Sequence, residues 1–163
     1  MKKALKISTI LSWFNMIIWG ISAGLTLLGG VLSGNMPLLI VGVLTGVIVL
    51  HSYASLQLHK SIRNPAIPLS SQTPVGLRFI GFIALFFGIS FFTEGLAMLQ
   101  STRELAKLLE PQMPPQIKDM DVAKFIRTTG IFGVVTGLCV SINVFLGFRL
   151  LRWYLFLRDN DIK

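Results

Sequence analysis

At 163 residues the chain has the length of one domain, yet 53% of it is hydrophobic, 13% is charged and its mean hydropathy is +0.71. Soluble domains carry about 25% charged residues, and 15 bases with 7 acids are too few to clothe a core in water. The net charge of +8 does not describe a nucleic-acid surface, because the bases stand at the ends of apolar runs and form no single patch.

The first apolar segment spans about 7–32 and the second about 37–58. From Ile7 to Leu50 no residue is charged. One helix of that length would run about 66 Å, roughly twice the hydrocarbon thickness of a bilayer. The run must therefore turn back on itself, and Ser33-Gly34-Asn35-Met36-Pro37 supplies the turn residues. Met1-Lys2-Lys3 before an apolar stretch has the look of a signal peptide. The stretch is too long for one and the cleavage site near Ser22-Ala23-Gly24 is poor, so it is read as a helix.

The loop from Asn64 to Pro74 contains three prolines and is expected to be irregular. A third apolar segment starts near Val75 and reaches Leu99, with a helical extension expected to about residue 110 on a face of Leu105, Leu108 and Leu109. Glu110-Pro111-Gln112-Met113-Pro114-Pro115 then breaks the helix, and Asp119 or Asp121 is placed to cap the next. The fourth helix is expected over about 120–157. Lipid offers no partner to an open strand, and no apolar/polar alternation signals a barrel. The expected fold is an all-α membrane protein, a single transmembrane domain (1–163) of four transmembrane helices in an antiparallel bundle.

Basic residues set the expected orientation. Lys2, Lys3, Lys6, Lys60, Arg63, Arg78, Arg149, Arg152, Arg158 and Lys163 fall on one side. Arg103, Lys107, Lys118, Lys124 and Arg127 fall on the other, offset by Glu104, Glu110, Asp119 and Asp121. Both termini are thus expected in the cytoplasm, in a plasma (inner) membrane. The longer outer hairpin should project past the surface, and anionic lipid should meet the inner bases.

The two halves carry similar words. Ile40-x-Gly42-Val43-Leu44-Thr45-Gly46 resembles Ile131-x-Gly133-Val134-Val135-Thr136-Gly137, and Trp19-Gly20-Ile21-Ser22 resembles Phe87-Gly88-Ile89-Ser90. Duplicated hairpins over about 7–60 and 75–157 would give a pseudo-twofold axis along the membrane normal; chance matching of Gly- and Val-rich segments is the alternative. Gly20 with Gly24, Gly42 with Gly46, and Gly133 with Gly137 and Ser141 repeat at four-residue spacing. Small residues let helices approach closely in lipid, and packing of the chain's own bundle is preferred here over a dimer seam.

Polar groups inside a bilayer are functional candidates. Glu94 lies about 24 Å along its helix from Arg78, near the outer interface, where headgroup water or Arg103 would satisfy it. Asn15, His51 and Asn143 lie about 9 to 14 Å from the inner boundary on three helices, with Ser52 and Ser55 nearby. They read either as a hydrated, proton-responsive pocket or as an interhelical hydrogen-bond layer, and the layer is preferred. His59 is assigned to the inner boundary, and Trp153 and Tyr154 with Arg149 and Arg152 to an interfacial belt. Cys139 stands alone, and no metal or haem pattern is present, so no cofactor is expected.

No catalytic motif appears. The preferred function is a non-enzymatic accessory, scaffold or assembly component with a protein partner or a second copy of itself. A small transporter or channel using the intramembrane polar residues is the alternative, and a lipid-acting membrane enzyme ranks third.

Overall fold

The computed structural model describes residues 2–64, 66–112 and 121–160. These form α1 (Lys2–Ser33), α2 (Met36–Arg63), α3 (Thr73–Gln100), α4 (Thr102–Leu109), a 3-10 turn (Glu110–Gln112) and α5 (Val122–Asp159). Helices α1, α2, α3 and α5 are long and apolar enough to cross a membrane, so the chain is an all-α, multi-pass membrane protein. At 38 residues α5 runs about 57 Å, well beyond the hydrocarbon layer of roughly 30 Å.

Each connection has a local cause. At the end of α1, Gly34 takes φ 62°, a left-handed value that disfavours any side chain. Its N–H donates to the Val31 carbonyl at 3.4 Å, and the Asn35 N–H donates to the Gly30 carbonyl at 3.0 Å. This pair is the Schellman closure of a helix. The Asn35 side chain then accepts from the Leu38 N–H at 3.2 Å, and Pro37 occupies the first turn of α2. One short segment ends α1 and starts α2.

The α2–α3 loop is fastened to α5: the Leu69 N–H donates to the Tyr154 hydroxyl at 3.2 Å. Leu69 also packs on a core of Leu58, Leu77, Leu150 and Leu151. Tyr154 therefore holds a loop. Pro65 lies outside the described residues.

The sequence expected one helix from 75 to 110, but the helix breaks at Ser101. Thr102 Oγ1 donates to the Met98 and Leu99 carbonyls, at 2.7 and 3.1 Å, in competition with the backbone ladder. Beyond the break, Ala106 on α4 packs with Val122 and Ile126 of α5. The Asp121 carboxylate caps α5 by accepting from the Lys124 N–H at 2.9 Å. Asp119, the other candidate cap, lies outside the described residues, as do Met113, Pro114, Pro115 and Lys118.

Packing divides the chain into two compact units, Met1–Phe86 with Cys139–Lys163, and Phe87–Leu138. In the first, α1, α2, the start of α3 and the end of α5 make an antiparallel bundle. Its burial pattern inverts that of a soluble protein. Helix α1 buries Ser8, Ser12, Asn15, Trp19 and Ala23 while Ile10, Ile17, Ile21, Leu25 and Leu28 are exposed. Helix α2 buries Thr45, His51, Ser52, Ser55 and His59 while Ile40, Val43, Leu50 and Tyr53 are exposed.

In the second unit, glycines set the separation of α3 and α5. A Cβ on Gly137 would lie 2.6 Å from both the Gly88 carbonyl oxygen and the Phe92 nitrogen. A Cβ on Gly95 would lie 2.7 Å from the Gly130 carbonyl oxygen and the Val134 nitrogen. These neighbours are backbone and cannot step aside. In the first unit a Cβ on Gly42 would meet Leu27 at 2.7 Å, whereas on Gly20, Gly24 or Gly46 it would meet nothing within 4 Å. The smallness of those three answers to no neighbour among the described residues.

Gly137→Ala should therefore lower stability by about 1–3 kcal/mol through overpacking, while Gly20→Ala should leave it unchanged or raised. Thermal unfolding in detergent checks this, and equal effects of the two substitutions would contradict the backbone contact.

Candidate functional site

The polar side chains of the first unit meet inside the bundle. Asn143 on α5 is fully buried, and its Oδ1 accepts from two hydroxyls of α1, Ser8 at 3.2 Å and Ser12 at 3.1 Å. Ser8, Ser12 and Asn15 recur at helical spacing, so one face of α1 points all three inward. One turn from Asn143, the Cys139 carbonyl accepts from Asn15 Nδ2 at 3.5 Å, a long contact.

Helix α2 supplies a second polar row. His51, Ser55, His59 and Arg63 stand four residues apart and share a face. Thr9 Oγ1 lies 3.3 Å from His59 Nδ1 and accepts from the Arg63 guanidinium at 3.0 Å. Thr9 in turn donates to the Leu5 carbonyl at 2.7 Å. His59 is buried in this chain of contacts. His51 and Ser55 face Gly147: a Cβ there would lie 3.4 Å from Ser55 Oγ and 3.6 Å from His51 Nε2. Gly81 of α3 closes the other side, 3.3 Å from His51 Cδ2 by the same measure.

The structure thus buries Asn15, His51 and Asn143 in one unit but does not join them in one ring of hydrogen bonds. Asn143 belongs with Ser8 and Ser12, Asn15 with the α5 backbone, and His51 with Ser55 across Gly147. Sequence reasoning passed over Ser8, Thr9 and Ser12. Their signal was present as a repeat of small hydroxyls at three- and four-residue steps leading to Asn15. Glu94 belongs to the second unit and is exposed. It makes no ion pair; the one ion pair among the described residues joins Arg158 and Asp159, at 3.0 Å.

Several buried polar atoms make no hydrogen bond to a described residue: Asn15 Oδ1, His51 Nε2, Ser55 Oγ, His59 Nε2 and Asn143 Nδ2. Among the described residues of the first unit the only carboxylate is Asp159, paired with Arg158. The core therefore contains donors, amide acceptors and imidazoles but no acid to complete an acid–base pair. No group of three or more potential metal ligands occurs among the described residues.

The basic end of the bundle carries two clefts. One, of about 250 Å³, is lined by Arg78, Phe82, Phe148, Leu151 and Arg152. The other, of about 300 Å³, is lined by Lys2, Leu5, Ile62, Arg63, Leu150 and Trp153. In the second unit, Arg103, Glu104, Asp121, Lys124 and Arg127 rim a wider hollow beside α4.

No protein-family description, curated protein or solved structure matches the chain.

Asn143→Leu should strand the Ser8 and Ser12 hydroxyls and cost about 1 kcal/mol, the usual scale for an interhelical hydrogen bond in a membrane. Ser8→Ala and Ser12→Ala should each cost less, because Asn143 keeps one donor. Unfolding midpoints in detergent read the order, and a silent Asn143→Leu would show that the layer does not hold α1 to α5.

Proposed function

We propose that the chain is a non-enzymatic membrane component, an accessory or assembly subunit, seated in a plasma (inner) membrane with both termini in the cytoplasm. The observation that carries this reading is Asn143 accepting from Ser8 and Ser12. The most buried amide of the bundle is committed to joining α5 to α1, as a packing layer requires. A lipid-acting enzyme loses support, because no carboxylate among the described residues of the first unit lies beside His51. With the core given to packing, exposed surfaces are left to meet lipid and a partner protein. The exposed Arg103 and Lys107, one turn apart on α4, supply a basic face for such a partner, and Leu109 is exposed on another side of the same helix. Orientation rests on the ten bases of one side against five on the other.

One observation favours a small transporter as the second reading. His51, Ser55 and His59 form a column on α2 that ends at Arg63, and each of the first three holds a buried atom without a hydrogen bond. A polar column running from a bilayer surface toward its middle is also what a proton or small-solute path needs.

Two measurements decide between them. Photoreactive residues at Lys107 and Leu109 should give a discrete adduct with one protein in cells. Proteoliposomes should show the same proton and ion leak for wild type and for His51→Ala with His59→Ala. A flux that needs His51, with no adduct, would replace the first reading by the second. For orientation, in a Cys139→Ser background a thiol at Ser33→Cys should label from outside intact cells, and one at Ser70→Cys should not. Labelling in the reverse sense would invert the topology.

A further inference from the structure

We propose that the cleft between α3 and α5 at the basic end is a binding site for the phosphate of an anionic phospholipid, held between Arg78 and Arg152. The inference rests on the reading above that this end of the bundle meets anionic lipid, and it narrows that reading to one site.

Three observations lead to it. First, Arg78 and Arg152 come from different helices yet line the same cleft of about 250 Å³. Their sequence neighbours Leu77 and Leu151 are buried together in one core cluster, which brings the backbones that carry the two arginines to the same part of the bundle. Second, no described residue neutralises them. Neither forms an ion pair or hydrogen bond among the described residues, and no acid precedes Glu94 in the sequence. Two cations held together repel unless an anion lies between them, and the guanidinium fork suits the oxygens of a phosphate.

Third, the rest of the cleft is apolar and lies deeper. Phe82 sits one turn along α3 from Arg78, about 6 Å toward the middle of the helix, and is exposed. Phe148 is one turn from Arg152 on α5, and its ring centroid lies 5.3 Å from that of Phe82. Gly81 makes room for this ring, since a Cβ there would lie 2.6 Å from Phe148 Cε1. The order along the membrane normal is therefore two cations and then an aromatic wall. That is the order of a phosphodiester and the acyl chains below it. A free phosphate would use the arginines and leave the wall without a role.

The second basic cleft differs in one respect. Its Arg63 already donates to Thr9, so one of its two cations is engaged within the chain.

The test is lipid binding to delipidated full-length protein in detergent by native mass spectrometry. The probes are phosphatidylglycerol, phosphatidylcholine and inorganic phosphate. Wild type should bind one phosphatidylglycerol at least tenfold more tightly than phosphatidylcholine. Arg78→Gln with Arg152→Gln should remove roughly tenfold of that affinity. Lys60→Gln with Arg149→Gln removes the same charge from exposed positions outside the cleft and should leave binding near wild type. Phe82→Ala should weaken phosphatidylglycerol binding without any change in charge. Equal losses for the two double variants would overturn the site while leaving a diffuse attraction to anionic lipid intact. No preference for phosphatidylglycerol over phosphatidylcholine in wild type would overturn both. Competition by inorganic phosphate at the lipid's own affinity, with Phe82→Ala silent, would overturn the lipid assignment in favour of a free anion.

Discussion

The arrangement of this protein depends on one constraint: in lipid, a polar side chain has no solvent partner and must find one on a neighbouring helix. The exposed Ile and Leu residues of α1 would be ruinous in water, and in hydrocarbon they cost nothing. The serines and asparagine of its opposite face could not be exposed there without losing their hydrogen bonds. The helices are therefore amphipathic in the inverted sense, and the bundle closes around hydroxyls, amides and imidazoles. Asn143 is the clearest case. Its single carbonyl oxygen serves two turns of α1, so it fixes rotation and register at once, which apolar packing between two lipid-like surfaces does weakly.

The same constraint explains why the two units are built differently. Helices α1, α2 and α5 of the first unit meet through side-chain hydrogen bonds as well as leucine packing. In the second, α3 and α5 approach through glycines until backbone touches backbone, and no side chain is needed at the seam. Both solve the absence of a hydrophobic drive, one by polar pairing and one by dispersion at close range. Gly137 and Asn143 lie less than two turns apart on α5, so one helix changes from one mode to the other along its length.

Much of the fold was legible because lipid leaves few options. An uncharged stretch longer than one crossing must become a hairpin, and Gly34, Asn35 and Pro37 could be assigned to its turn before any coordinates. The break at Ser101 was not legible, because it falls inside a sequence that otherwise favours helix, and Thr45, Thr93 and Thr136 bond two preceding carbonyls as Thr102 does without breaking theirs. The site was legible only by residue type. Asn15, His51 and Asn143 could be placed at similar depth by counting from the nearest base, but depth says nothing about rotation around the helix axis. Rotation decides that Asn143 faces serines while His51 faces a glycine. Small hydroxyls were overlooked for a related reason: Ser8, Thr9 and Ser12 sit close to Lys6 and read as the start of a span, whereas Ser8 and Ser12 are buried partners of α5 and Thr9 meets His59 and Arg63 of α2. Glycine spacing misled in the opposite direction. Gly20 and Gly24 have the separation of a packing motif, yet only contact geometry distinguishes them from Gly133 and Gly137.

The distribution of charge follows from the distribution of polar groups. Because the core is held by neutral hydrogen bonds, no carboxylate is needed inside it, and the first 93 residues contain none. Among the described residues of the first unit, the bases near the helix ends consequently form no ion pair, apart from Arg158 beside Asp159. A surface salt bridge contributes little to stability, so losing such pairs costs the fold almost nothing. What it leaves is a ring of cations at one end whose counterions must come from elsewhere. An anionic leaflet would supply them at high local concentration, where each base near such a surface is worth about 1 kcal/mol. Burying neutral polar groups and leaving cations unpaired are thus two consequences of one solvent. The first holds the helices to each other, and the second leaves one end of the bundle open to an anionic partner.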